Sequence, residues 1–128
     1  MRQVLTALFF LWALLGFSQE EYKEYHGTWV LTQVYSDPGD GSGEFYDVES
    51  DKIITIDSEL KIESNADLCR IYGKVGESTS GQLVSEDGVL KLKSCSDGFQ
   101  QVYFECKGDV LIMRYICKEG CAEKYVRR

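Results

Sequence analysis

Histidine and proline are almost absent from this chain, with one of each, His26 and Pro38, among 128 residues. A single imidazole leaves His26 as the sole base for any Ser-His-Asp or Cys-His site. It precedes the first predicted strand, a poor place for a nucleophile's base. The same scarcity removes the mixed His and Cys sets that zinc takes. Cations are short too, 14 Lys and Arg against 21 Asp and Glu, which argues against nucleic acid or an anionic membrane surface as partner. No phosphate loop, dinucleotide fingerprint or metal-hydrolase motif occurs, and no spacing singles out a catalytic pair among the carboxylates. Neither an enzyme nor a cofactor is expected. No apolar run reaches the roughly 20 residues of a membrane helix, and no long helical period follows the first apolar segment.

That segment is a leader. Arg2 supplies a short positive region, Val4 to Leu15 is apolar except for Thr6, and Gly16 and Ser18 stand at the −3 and −1 positions of a cut before Gln19. This is the anatomy of a cleavable signal peptide, residues 1–18, leaving residues 19–128 as one domain. Loss of Arg2 takes the formal net charge from −7 to −8. The protein is therefore expected outside the cytoplasm, in a periplasm or the extracellular space, as a monomer without a membrane span. All five cysteines follow the leader, and disulfides persist in such compartments. Five is odd, so at least one thiol stays free or pairs with another molecule.

The remaining chain shows short apolar runs of period two broken by Gly, Asp and Ser, the pattern of antiparallel strands with one wet face. Trp29 to Tyr35 alternates as the first strand, followed by the Gly-rich loop 37–43. Residues 52–56 and 60–64 flank the turn 57–59, with Ile56 expected opposite Leu60 and Ile54 opposite Ile62. In residues 89–93, Leu90 and Leu92 point inward. The clearest hairpin joins residues 99–106 to 110–117 through the two-residue turn Gly108-Asp109. Its register pairs Cys106 with Leu111, Phe104 with Met113 and Val102 with Tyr115 on a core face, and sets Cys117 opposite Gln100. That register disfavours a Cys106–Cys117 bridge, because bridged cysteines need Cα atoms within about 7 Å. The pieces sum to about eight short strands, an up-and-down barrel or a small sandwich.

The first strand opens Gly27-Thr28-Trp29-Val30-Leu31. This resembles the Gly-x-Trp signature of lipocalins and fatty-acid-binding proteins. Residues 37–43, 50–53 and 117–121 are similar to small exported bacterial lipocalin-like proteins. The resemblance implies an all-β, antiparallel, lipocalin-like barrel. It also implies that Trp29 closes the barrel base beneath a basic residue near the last strand, here Lys124 or Arg127. A cation stacked on an indole contributes roughly 0.5–2 kcal/mol.

An eight-stranded barrel either fills its interior with side chains or holds one small ligand, and the sequence leaves both open. A pocket would be walled by Leu31, Tyr35, Ile54, Leu90, Phe104, Met113 and Tyr115, and would take a small apolar molecule. With a solid core, the protein would instead act as a non-catalytic interaction or inhibitor module that uses its loops. Asp37, Asp40 and Ser42 offer hard oxygen atoms for calcium, but their spacing departs from the EF-hand pattern. A Gly-rich turn, or a lid at the open barrel end, is the competing reading. Cys117-x-x-x-Cys121 has no histidine near it, so a local disulfide is favoured over a metal half-site. Elimination then pairs Cys69 with Cys95 and leaves Cys106 as a spare thiol on the core face.

Overall fold

The computed structural model describes residues 22–93, 95, 101–117 and 120–128. The leader and the Cys117–Gln100 pairing lie outside the described residues.

A short 3-10 turn, Lys23–Tyr25, leads into nine strands. These are β1 (Gly27–Ser36), β2 (Glu44–Asp47), β3 (Ile53–Ile56), β4 (Lys61–Ala66), β5 (Val75–Glu86), β6 (Val89–Leu92), β7 (Val102–Lys107), β8 (Val110–Tyr115) and β9 (Cys121–Arg127). Every pairing is antiparallel, sequential strands other than β2 and β3 are neighbours, and β9 returns to pair with β1, so the sheet closes. β2 and β3 lie along the same edge of β1, facing its second and first halves. Hydrogen bonds from Val48 N to Thr32 O and from Leu31 N to Lys52 O carry the ladder across their gap. The two therefore form one broken stave, and the molecule is an eight-stave up-and-down barrel. Closure removes the unpaired edges that would template association with other chains.

The β7–β8 hairpin has the register that alternation predicts, with Cys106 opposite Leu111, Phe104 opposite Met113 and Val102 opposite Tyr115. Gly108 takes a positive φ of 62° in the turn, open to it without a Cβ penalty. The β3–β4 hairpin differs from expectation by two residues: Ile56 faces Ile62 and Ile54 faces Ser64. Asp57 is the cause. Its carboxylate accepts from the amides of Glu59 and Lys61, lengthening the turn and drawing Leu60 into it at φ 60°. A two-residue shift keeps each side chain on its face, so Ile54, Ile56 and Ile62 all remain buried.

Two strands escape the apolar pattern. β2 is a short segment on the mouth side, and β5 begins Val75-Gly76-Glu77-Ser78-Thr79-Ser80, too polar to announce a strand although it pairs with β4.

The ends of the barrel are unlike. At the base the connections are tight, residues 57–60, 87–88 and 108–109. At the mouth they are longer, those that join β1 to β2, β4 to β5, β6 to β7 and β8 to β9. Both disulfides, Cys69–Cys95 and Cys117–Cys121, clip mouth connections, with Cα separations of 5.3 and 6.0 Å. Two such bridges suit an oxidising compartment. No helix among the described residues is long and apolar enough to cross a membrane.

Candidate functional site

The base is sealed around Trp29, which is wholly buried and donates its indole N–H to the Tyr25 carbonyl at 2.9 Å. The Arg127 guanidinium lies 4.3 Å from the ring centroid. It also donates to the carbonyls of His26 and Glu24 and pairs with Asp109 at 3.0 Å. Gly27 is required here for two reasons: its φ is +135°, and a Cβ would stand 2.8 Å from Arg127 Nη1. Lys124, the other basic candidate, is not at the base. On β9 the residues Glu123, Tyr125 and Arg127 turn inward, so Lys124 turns out and places its ammonium 4.1 Å from the Phe45 ring.

Of the seven candidate wall residues, Leu31, Ile54, Leu90, Phe104, Met113 and Tyr115 share one buried cluster. Ile54 and Met113 have 0% exposure, Leu90 and Phe104 have 1%, and Leu31 has 7%. A side chain without accessible surface borders no space that a water molecule can occupy. Ile54, Leu90, Phe104 and Met113 therefore pack without a gap, while Leu31 and Tyr115 keep a small accessible surface.

Tyr35 corrects the expected wall. A β-bulge between Leu31 and Gln33 shifts the alternation of β1, so Val34 pairs with inward Glu123 and joins the core. Tyr35 is thereby sent to the outer face, where its ring meets Phe45 edge-on at 5.5 Å.

The mouth half of the interior holds a polar cluster that the sequence reading did not single out. Lys52 and Glu123 are 2% and 1% exposed and are paired at 2.9 Å. Lys52 Nζ also donates to Glu123 Oε2 at 3.0 Å and to the Gly73 carbonyl at 2.9 Å. The Tyr115 hydroxyl donates to Glu123 Oε1 at 2.9 Å, and the Tyr125 hydroxyl lies 3.4 Å from the same oxygen. Burial, and then the Glu123 charge, push both phenols far above their ordinary range. They are neutral donors at any physiological pH. Period two carried back from Ile56 and Ile54 places Lys52 inside, and the same rule links Glu123 to Tyr125. That was the available signal.

Residues 67–74 lie over this cluster. Leu68 is wholly buried, its amide bonds Thr79 Oγ1, and Tyr72 packs edge-on against Tyr115 and donates to the Tyr35 carbonyl. The covering segment is thus the β4–β5 connection, and loop 37–43 is a turn. Asp37 accepts from the amides of Gly39 and Gly41, and Asp40 accepts from the amide and hydroxyl of Ser42. Those bonds hold the Asp40 carboxyl below its usual range and engage one oxygen of each carboxylate the calcium reading needed. Among the described residues, no group of three or more His, Cys, Asp or Glu side chains gathers as a metal site would.

Cys106 is the free thiol. It is half-buried at the base, 3.3 Å from the Glu24 carbonyl. Desolvation and the nearby acids, Glu24 foremost, push its pKa up to about 11.

Clefts lined by described residues open on the outside. One of about 390 Å³ follows residues 67–77, including Asp67, Arg70 and Tyr72. Another of about 280 Å³ lies beside Val84, Lys91 and Gln101 and reaches the core residues Leu92 and Val102. None of the seven candidate wall residues lines either cleft.

No family model, curated protein or solved structure matches this chain; the closed antiparallel barrel is compatible with a lipocalin-like fold on the strength of its own strand order and base.

Proposed function

We propose that this protein is an exported, lipocalin-like, non-catalytic interaction module that binds a partner through its mouth loops. The observation that carries this reading is the packed interior. Inward side chains from all around the barrel have almost no accessible surface, Trp29, Ile54, Ile62, Leu111, Met113 and Tyr125 at 0%. A cargo protein needs a concave, largely pre-formed pocket of roughly 300 Å³ or more. The long connections, both disulfides and most of the exposed large apolar side chains gather at the other candidate surface, the mouth. Variable loops on a rigid scaffold are where recognition usually resides.

A second reading, carriage of a small apolar ligand, draws support from the polar cluster beneath residues 67–74, which could meet the polar end of a guest if that segment lifted. The two readings separate in one experiment. The secreted protein is purified natively, extracted into organic solvent for mass spectrometry, and titrated with fatty acids and other lipophiles while Trp29 emission is followed. Trp12 lies in the proposed leader, so Trp29 is then the sole indole. The interaction reading predicts an empty extract and an unmoved emission maximum. A stoichiometric small molecule with a concerted shift in emission would establish the carrier reading instead.

A further inference from the structure

Among the described residues, the exposed large hydrophobic side chains are unevenly placed. Tyr46, Tyr72, Val75 and Ile116 are 52%, 40%, 49% and 57% exposed, and all four lie at the mouth. The fifth, Val126, lies on the outer wall near the base. The mouth set is linked through the fold. Tyr46 adjoins Phe45, which packs on Tyr35. The Tyr35 carbonyl accepts from the Tyr72 hydroxyl, and the Tyr72 ring meets Tyr115, the neighbour of Ile116. Exposed apolar side chains concentrated at one end of an acidic, otherwise polar exterior point to an interaction site at that end.

The charge beside it is mostly negative on the β1–β2–β3 side, where Lys124 over Phe45 is the outward cation among the described residues. Asp40, Glu44, Asp47, Glu49 and Asp51 are all exposed, and the cation of that stretch, Lys52, is buried against Glu123. Arg70 and Lys74 lie on the opposite connection, Arg70 within 3.5 Å of Asp67. Described parts of the surface are also tied down. Two disulfides clip its connections, and the buried Lys52 ammonium anchors Gly73. Little ordering would be required on association, which favours affinity.

We infer that the mouth is a docking surface for a basic, apolar-rich peptide segment of another protein, its apolar side chains on Tyr46, Tyr72, Val75 and Ile116 and its Lys or Arg side chains toward the acidic β2 side. This deepens the interaction reading and rests on it. Complementary charge would steer encounter and set register, while the apolar contacts hold the complex.

The test uses the whole secreted protein, isotope-labelled, and three short synthetic peptides. Leu and Phe alternate with Arg in the first, with Glu in the second and with Ser in the third. Amide shifts map each contact, anisotropy measures affinity, and sedimentation of the protein alone reports self-association. The Arg peptide should shift residues around Tyr46, Tyr72, Val75 and Ile116 and bind about tenfold or more tighter than the Glu peptide. Its affinity should fall as salt rises from about 0.05 to about 0.5 M. Ile116→Ser with Val75→Ser, two exposed positions, should weaken it about fivefold or more. Equal or better binding of the Glu or Ser peptide at the mouth would overturn the basic partner but keep the interaction reading. Failure of all three peptides to touch the mouth, or self-association through it, would overturn both.

Discussion

At the scale of single residues, the least expected feature is a charged pair inside a small barrel. Removing two ions from water is costly, and their attraction repays this only where every lone pair and proton is used. Here Glu123 accepts from Lys52 and Tyr115, and Lys52 also reaches Gly73. Breaking the pair should therefore cost more than removing it. Lys52→Met, which leaves a bare buried carboxylate, should lower stability by about 3–5 kcal/mol. The double variant Lys52→Met, Glu123→Leu should recover much of that in urea unfolding. A residual cost of about 1–3 kcal/mol would remain for phenol hydroxyls left without an acceptor. A double variant as unstable as the single one would contradict this account.

Cys106 gives a pH-dependent signature. Its thiol titrates near 11 in the fold against an ordinary 9.0. The reactive form is the thiolate, so alkylation of native protein should be slow at pH 8 and rise steeply only toward pH 11, whereas the unfolded chain reacts readily. The sign for stability follows. A raised folded value favours the neutral thiol, so this contribution is fully present below pH 9 and is lost as pH rises toward 11. Fast labelling of native protein at pH 8 would show the thiol to be less shielded than the structure has it.

At the scale of elements, the sequence was most readable where alternation ran unbroken. β7 and β8 follow the predicted register, and local spacing for Cys117–Cys121, then elimination for Cys69–Cys95, reached both bridges. Legibility ended wherever local chemistry interrupted the period. The bulge in β1 exchanged Tyr35 for Val34, because one extra residue inverts every later side chain. The Asp57 carboxylate lengthened a turn that composition alone suggested was shorter. Lys52 and Glu123 occupy inward positions by count, but a charged residue in a core is readable only once its partner is known, and these partners are distant in sequence. Of the candidate site, the base was legible in outline from Gly27 and Trp29, and the choice of Arg127 over Lys124 required the phase of β9. The mouth surface was not legible, since it depends on which loops meet at one end.

The two disulfides should contribute unequally. Cys69–Cys95 spans a sequence separation of 26 and Cys117–Cys121 one of 4. On the loop-closure model these correspond to about 3.5 and about 2 kcal/mol. Replacing Cys69 and Cys95 by Ala should also free residues 67–74, which cover the buried pair. Hydrogen exchange at Leu68, whose amide bonds Thr79, should rise more in that variant than in the one lacking Cys117 and Cys121. Equal loss of stability and protection in the two variants would mean that the longer bridge holds nothing the rest of the loop does not.

At the scale of the molecule, a barrel of eight staves is near the size at which side chains alone can occupy the interior. Trp29 beneath Arg127 closes one end, Leu68 and Tyr72 cover the other, and inward side chains occupy the space between them. On the proposed reading, recognition then belongs to the outside, above all to the loop-rich mouth. Xenon under pressure is the most direct probe of this claim, because empty apolar cavities take it up. Crystals of residues 19–128 exposed to xenon should show no site within the barrel. A well-occupied xenon among Leu31, Ile54, Phe104 and Met113 would contradict the packed core and return the lumen to consideration as a binding site.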